Sequence, residues 1–186
     1  MRVIAGSARS LPLRTVRGKG TRPTTDRIKE TLFNMIAPRI PDGRFLDLFA
    51  GSGAIGIEAL SRGASEAVFV EQDRAALRVI RDNLQFTRLQ ERARVIAQDA
   101  VKAVSDLRAE QRFDVIFMDP PYGHDLERRI LEQLSDSGIA AEDTLIIVES
   151  DLKTEFSYLP DTPFTLVREK KYKTNKHSFL RVRENK

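Results

Sequence analysis

The chain has no cysteine in its 186 residues. That excludes a disulfide framework, a cysteine zinc site and a thiol nucleophile. It has two histidines, His124 and His177. Neither stands in a partner pattern, neither is assigned a role, and no metal is expected. No apolar run reaches the ~20 residues of a membrane span. The opening Met1-Arg2-Val3-Ile4-Ala5-Gly6 has no signal-peptide hydrophobic region, so a cytoplasmic protein without a membrane partner is expected. Internal repeats and low-complexity linkers are also missing. Acidic residues are absent from residues 1–22, which carry Arg2, Arg9, Arg14, Arg17, Lys19 and Arg22. Such an arm suits a phosphate backbone, or else it is a solvated terminus. What is present is 41% hydrophobic and 31% charged, with a net charge of +4 and a pI near 9.5. This describes one globular domain, mildly basic and suited to a polyanionic partner.

Phe113-Asp114-Val115-Ile116-Phe117-Met118 has the length and composition of a buried strand. Asp119-Pro120-Pro121-Tyr122 comes directly after it, and in open α/β sheets ligands bind at that end of a strand. These residues suit a planar base with an exocyclic amine, whose lone pair is delocalised into the ring. Asp119 can accept one N–H. The Pro120 carbonyl can accept the other, with the Pro120 and Pro121 rings fixing its direction. Tyr122 can stack on the base, worth roughly 1–3 kcal/mol. A base held this way has left its helix or comes from a single strand. The plainer alternative is a rigid turn.

Upstream, Arg44-Phe45-Leu46-Asp47-Leu48-Phe49 reads as the first strand of a sheet. Ala50-Gly51-Ser52-Gly53-Ala54-Ile55-Gly56 turns it into a helix, and glycines there let a ligand approach the backbone and its free N–H groups. Glu71 and Gln72 end the next strand, Ala67–Val70, where an acid grips ribose hydroxyls. The Gly51-x-Gly53-x-x-Gly56 spacing also fits a dinucleotide, so a nicotinamide oxidoreductase remains a rival. A hydride transferase, however, has no need of Asp-Pro-Pro-Tyr. The spacing predicts helices from Asp73 to about Leu89, with its arginines as a solvated face, and from about Val101 to Glu110. Strands are predicted at Arg94–Ala97 and Thr144–Glu149 and a helix at Leu126–Leu134. Strand and helix alternate through residues 45–149, which implies an α/β fold with a mainly parallel sheet. Phe164–Arg168 and Ser178–Val182 alternate as strands of a closing hairpin. Lys170–Lys176 is expected to form its basic tip, presenting Lys171, Tyr172 and Lys173 to RNA.

Three resemblances sharpen this reading. Asp119-Pro120-Pro121-Tyr122 resembles the Asp/Asn-Pro-Pro-Tyr/Phe motif of S-adenosylmethionine-dependent amino-methyltransferases, which act on adenine N6, cytosine N4 or guanine N2. Asp47 and Phe49-Ala50-Gly51-Ser52-Gly53 resemble the first motif of class I methyltransferases, a Rossmann-like fold. That likeness implies a donor site of Asp47, Phe49, Ala50, Gly51, Ser52, Gly53, Glu71, Gln72, Asp99, Ala100 and Asp119, with Asp99 beside the donor's adenine. Asp99 is otherwise an N-cap. Finally, the leader Arg22-Pro23-Thr24-Thr25-Asp26-Arg27, these two motifs and Arg168-Glu169-Lys170-Lys171-Tyr172 together are similar to the RsmD family across nearly the whole chain.

That family is one of bacterial 16S rRNA guanine-N2 methyltransferases. The resemblance implies one methyl group passed from S-adenosylmethionine, leaving S-adenosylhomocysteine, to a guanine of 16S rRNA in a partly assembled small subunit. It implies Asp119, Pro120, Pro121 and Tyr122 at the reaction. A monomer is expected. Arg9, Arg14, Arg22, Thr24 and Arg27, with the hairpin tip, are expected on the RNA. The domain plan is a basic N-terminal extension, residues 1–22, before one methyltransferase domain, residues 23–186. A DNA adenine-N6 methyltransferase and a non-catalytic rRNA-binding assembly factor are the alternatives.

Overall fold

The computed structural model describes residues 1–16, 25–107 and 112–183. The strands are β1 (Arg44–Asp47), β2 (Glu66–Glu71), β3 (Ala93–Ala97), β4 (Val115–Met118), β5 (Leu145–Asp151), β6 (Phe164–Lys171) and β7 (Asn175–Val182). The helices are α1 (Asp26–Met35), α2 (Ala54–Ser61), α3 (Arg74–Thr87), α4 (Ala100–Asp106) and α5 (Leu126–Ser137). Within the first unit the strands lie in the order β3-β2-β1, and within the second in the order β4-β5-β7-β6. β1, β2 and β3 pair in parallel, as do β4 and β5, while β7 runs antiparallel to β5 and to β6. The chain falls into two compact units, Met1–Asp99 and Ala100–Lys186.

In the first unit, β1 and β2 are apolar runs because both faces are covered. Phe45, Leu46, Val68, Phe69 and Val70 are all buried. Thr25 caps α1, its hydroxyl accepting from the Ile28 N–H at 3.3 Å. Leu32, Phe33 and Ile36 are buried at helical spacing along one face, and Lys29 on the same face is fully buried too. On α3, Leu77, Ile80 and Leu84 point inward and Leu89 is buried just beyond them, while Phe86 is 54% exposed.

Lys29 explains how the N-terminal residues are held. They form a hairpin, bridging Arg2 to Pro12, with Val3, Ala8 and Leu13 buried. Glu58 of α2, fully buried, accepts the N–H groups of Ile4 at 2.8 Å and Ala5 at 3.0 Å. It also takes Arg62 at 2.7 Å and Lys29 at 3.2 Å, while the Lys29 ammonium donates to the Arg2 carbonyl at 2.6 Å. Burial pushes the Lys29 pKa down, and Glu58 opposes that shift. Residues 1–16 are therefore sewn onto α2. Arg17 to Thr24, including Arg22 and Thr24, lie outside the described residues.

In the second unit, β4 and β5 are buried along nearly their whole length. The hairpin departs from expectation. Its strands run on to Lys171 and from Asn175, so only Tyr172–Thr174 turns. Lys176 is buried, with its ammonium 2.6 Å from Glu169. That bond lowers the Glu169 pKa. The predicted loop is strand because alternate residues find partners across β6 and β7, which charge patterning along one segment does not reveal. β6 carries a bulge near Val167, a feature that blunts an edge strand against pairing.

Glu58→Ala removes the acceptor of two main-chain N–H groups and strands a buried Lys29. A loss of about 3–5 kcal/mol is expected, read as a lower denaturation midpoint in urea.

Candidate active site

The first unit builds a cradle at the ends of β1, β2 and β3. Gly51 and Gly53 take φ of 54° and 78°, backbone that a side chain rarely tolerates. A Cβ on Gly56 would lie 2.3 Å from the Phe69 ring, so α2 packs on β2 only with glycine there. Glu71 organises the turn. Its Oε2 accepts the Gly51 N–H at 2.8 Å, and its Oε1 accepts those of Gln72 and Asp73 at 2.9 Å each. The Ala50 N–H donates to Val70, and the Gln98 N–H to Glu71 itself. That last bond carries the exposed Asp99 beside the end of β2. Gly51, Gly53, Glu71 and Asp47 are thus brought together, flanked by the half-buried Phe49 and Ser52, the buried Ala50 and the exposed Gln72.

Asp47 is buried. One carboxylate oxygen accepts the Gly56 N–H at 3.2 Å and the other, Oδ1, has no partner. Burial raises its pKa to about 7, the Gly56 bond opposes this, and the nearby Glu71 charge adds to it. An orphaned acid beside a glycine turn, with open space where a Gly51 Cβ would stand, fits a ligand carrying a positive charge and a ribose. S-adenosylmethionine is one. Among the described residues, no group of three or more histidine, cysteine, aspartate or glutamate side chains could hold a metal ion.

Sequence reading passed over Asn83 of α3. Its Oδ1 accepts the Arg14 N–H at 2.9 Å, and its Nδ2 donates to the carbonyls of Arg14 at 3.0 Å and Ser52 at 2.8 Å. One buried amide thus clamps the N-terminal segment to the glycine turn. Polar Asn83 among the inward residues Ile80, Leu84 and Thr87 was the available signal.

In the second unit, Asp119 is half-buried and Pro120 buried, while Pro121 and Tyr122 are exposed. Met118 is level with Val148 in the parallel pair, so Asp119 emerges alongside Glu149. Partial burial raises the Tyr122 pKa, and the charges of Asp119, Glu149 and Asp151 raise it further. Behind them lies a polar chain. Asn175 Nδ2 donates to Glu149 Oε1, His177 Nε2 is 3.0 Å from Glu149 Oε2, and the Tyr172 hydroxyl is 3.3 Å from His177 Nδ1. His177 is fully buried between the edges of the Phe117 and Tyr172 rings. Tyr172, expected at an open tip, is half-buried, with its pKa pushed to about 12 by burial and Glu149. The signal for His177 was spacing along β7, whose alternate residues meet those of β5.

Of the residues expected on RNA, Arg9, Arg27, Lys171 and Lys173 are exposed, and Arg14 pairs with Asp82 at 2.7 Å.

A family model described as conserved hypothetical protein 95 matches residues 1–181. Ribosomal RNA small subunit methyltransferase D of Escherichia coli K12 is 39% identical over 91% of this chain and 84% of its own. The chain belongs to the RsmD family. YlbH of Bacillus subtilis, provisionally named an rRNA methyltransferase, is 42% identical over 92% of each chain. A solved Escherichia coli structure, provisionally described as methyltransferase yhhF, superposes with a TM-score of 0.84 at 36% identity. It covers 98% of this chain and 97% of that one. The Thermus thermophilus 16S rRNA N2 G1207 methyltransferase RsmC, solved with AdoMet and guanosine, shares the fold at 22% identity. Its TM-score is 0.70, over 90% of this chain and 45% of that one. Class I methyltransferase architecture and membership of an rRNA methyltransferase family therefore stand together.

The Asp47 pKa sets a pH dependence. Below about pH 4 the group is protonated in both the folded and unfolded chain and contributes nothing. From 4 to 7 the unfolded chain ionises first, so the ligand-free protein loses stability as pH rises. The loss levels off above 7 at roughly 4 kcal/mol. Urea midpoints across this range should fall in the wild type and stay flatter in Asp47→Asn.

Proposed function

We propose that this chain transfers a methyl group from S-adenosylmethionine to the N2 amine of a guanine in 16S rRNA, within a partly assembled small subunit. The observation that carries the reading is Asp119-Pro120-Pro121-Tyr122 at the end of buried β4 in a chain of the RsmD family. The relative's name supports the small-subunit RNA as substrate. The amine-gripping chemistry of the motif, with the RsmD resemblance, supports guanine N2.

S-adenosylmethionine, when bound, supplies an electrophilic methyl group on a sulfonium. Asp47 would meet its ammonium, the Gly51–Gly53 backbone would pass beneath it, and Glu71 and Asp99 would hold its ribose and adenine. Asp119 and the Pro120 carbonyl each accept one N–H of the guanine amine, which frees the nitrogen lone pair and directs it. Tyr122 stacks on the ring of the flipped base. Positioning of this kind is worth roughly 7–11 kcal/mol. Glu149, held by Asn175 and His177, braces the strand end beside Asp119. Arg9, Arg27, Lys171 and Lys173 would meet phosphates.

Labelled donor offered with small subunits, naked 16S rRNA and duplex DNA should mark the subunits first. Mass spectrometry of the labelled RNA should find N2-methylguanosine; methyladenine in DNA would overturn the reading. Asp119→Ala should lower turnover by at least about a thousandfold, the scale of one lost transition-state contact, with the donor dissociation constant unchanged by calorimetry. Glu71→Ala should do the opposite first, weakening donor binding by about tenfold or more.

A further inference from the structure

We propose that the groove between the N-terminal segment and α3 is a second rRNA site, one that takes the sugar-phosphate backbone of an unpaired stretch. This rests on the rRNA reading above and deepens it. One wall carries Leu13, Arg14 and Val16, the other Arg78, Val79 and Arg81, around a space of about 800 Å³. That is far more than one ion fills, and it lies within the size range of ligand clefts. On sequence alone the α3 arginines are a solvated helical face. The structure adds an opposing wall, fixed by the Asn83 amide that grips both main-chain groups of Arg14. A cationic cleft with low-dielectric walls concentrates potential more than a flat face does.

The charges favour a polyanion. Three guanidinium groups border the groove against one lining carboxylate, Asp82, and Asp82 is already taken by Arg14. Arg78 and Arg81 are both exposed. Farther along, a smaller groove runs between Pro12, Asn83 and Phe86. Phe86 holds its ring 54% exposed on an otherwise charged face, where a base can stack. Backbone charges beside a stacking ring match single-stranded RNA better than a flat acidic protein surface. The groove is separate from the donor cradle, since Gly51, Glu71 and Asp99 do not line it. Asn83 borders the smaller groove and donates to the Ser52 carbonyl of the glycine turn.

The test is the double variant Arg78→Glu/Arg81→Glu, with Arg78→Gln/Arg81→Gln beside it and Arg129→Glu on α5 as a control. Binding is measured to 16S rRNA and to small subunits from cells lacking the protein, across a salt series. For the glutamate pair the dissociation constant should rise at least about tenfold. The slope of log affinity against log salt should become shallower by about 1.4, roughly 0.7 for each lost phosphate contact on a single strand. The glutamine pair should lose the same slope with a smaller loss of affinity. Donor affinity, melting temperature and the Arg129→Glu control should match the wild type. RNA affinity and slope within twofold of wild type, in a wild type that methylates rRNA, overturn the groove and leave the enzyme assignment standing. A wild type that neither binds nor methylates rRNA overturns that assignment itself. If the glutamate pair fails to fold, the glutamine pair's slope decides.

Discussion

A single carboxylate at the end of β2 sets the shape of the cradle. Glu71 accepts three main-chain N–H groups, from Gly51, Gln72 and Asp73. A carboxylate offers about four acceptor positions, so roughly one is left for a ligand hydroxyl. The same group that would read a ribose also fixes the glycine turn beneath it. This dual use also explains the state of Asp47. Burial raises its pKa, the nearby Glu71 charge adds to that shift, and one of its oxygens has no partner. An enzyme core rarely tolerates such an atom. In a donor site it is strain that a cationic ligand relieves, so binding energy is gained where the empty fold is weakest.

The second unit solves a different problem. In the proposed reaction Asp119 grips an amine and must be held still, yet it sits at the end of a strand only four residues long. Pro120 and Pro121 stiffen the backbone on its far side. Glu149, on the neighbouring strand, is anchored on both oxygens by Asn175 and His177, and His177 is engaged on both nitrogens. Every polar member of this chain has a partner, the condition under which a buried network rigidifies rather than weakens a fold.

The strand and helix pattern was legible because its signals are local. Apolar runs, the glycine turn and Asp-Pro-Pro-Tyr each sit within a few residues. The contacts that hold these pieces were not legible. Glu58 meets Ile4 across 54 positions, Asn83 meets Arg14 across 69, and Glu149 meets His177 across 28. Lys29 stands at helical spacing from the buried Leu32, Phe33 and Ile36, but its charge argues for the surface, and nothing local reveals the distant Glu58 and the Arg2 carbonyl that receive its ammonium. The hairpin tip failed for the opposite reason. Local charge at residues 170–176 suggested a loop, whereas pairing along β6 and β7 placed Lys176 and His177 inside.

The proposed chemistry sets two charge requirements against each other. Phosphates need cations, whereas the guanine amine needs a carboxylate, and bare carboxylates repel RNA. The second unit reconciles them by depth. Glu149 is buried, Glu169 is neutralised by Lys176, and Asp119 is half-buried, while Lys170, Lys171 and Lys173 face solvent. Screening in physiological salt acts over about 8 Å, so an anion recessed within protein is felt weakly by a phosphate outside. A neutral base can enter where its own phosphate cannot. Flipping is then more than access to an otherwise stacked atom: it separates the part of the nucleotide that carboxylates attract from the part they repel.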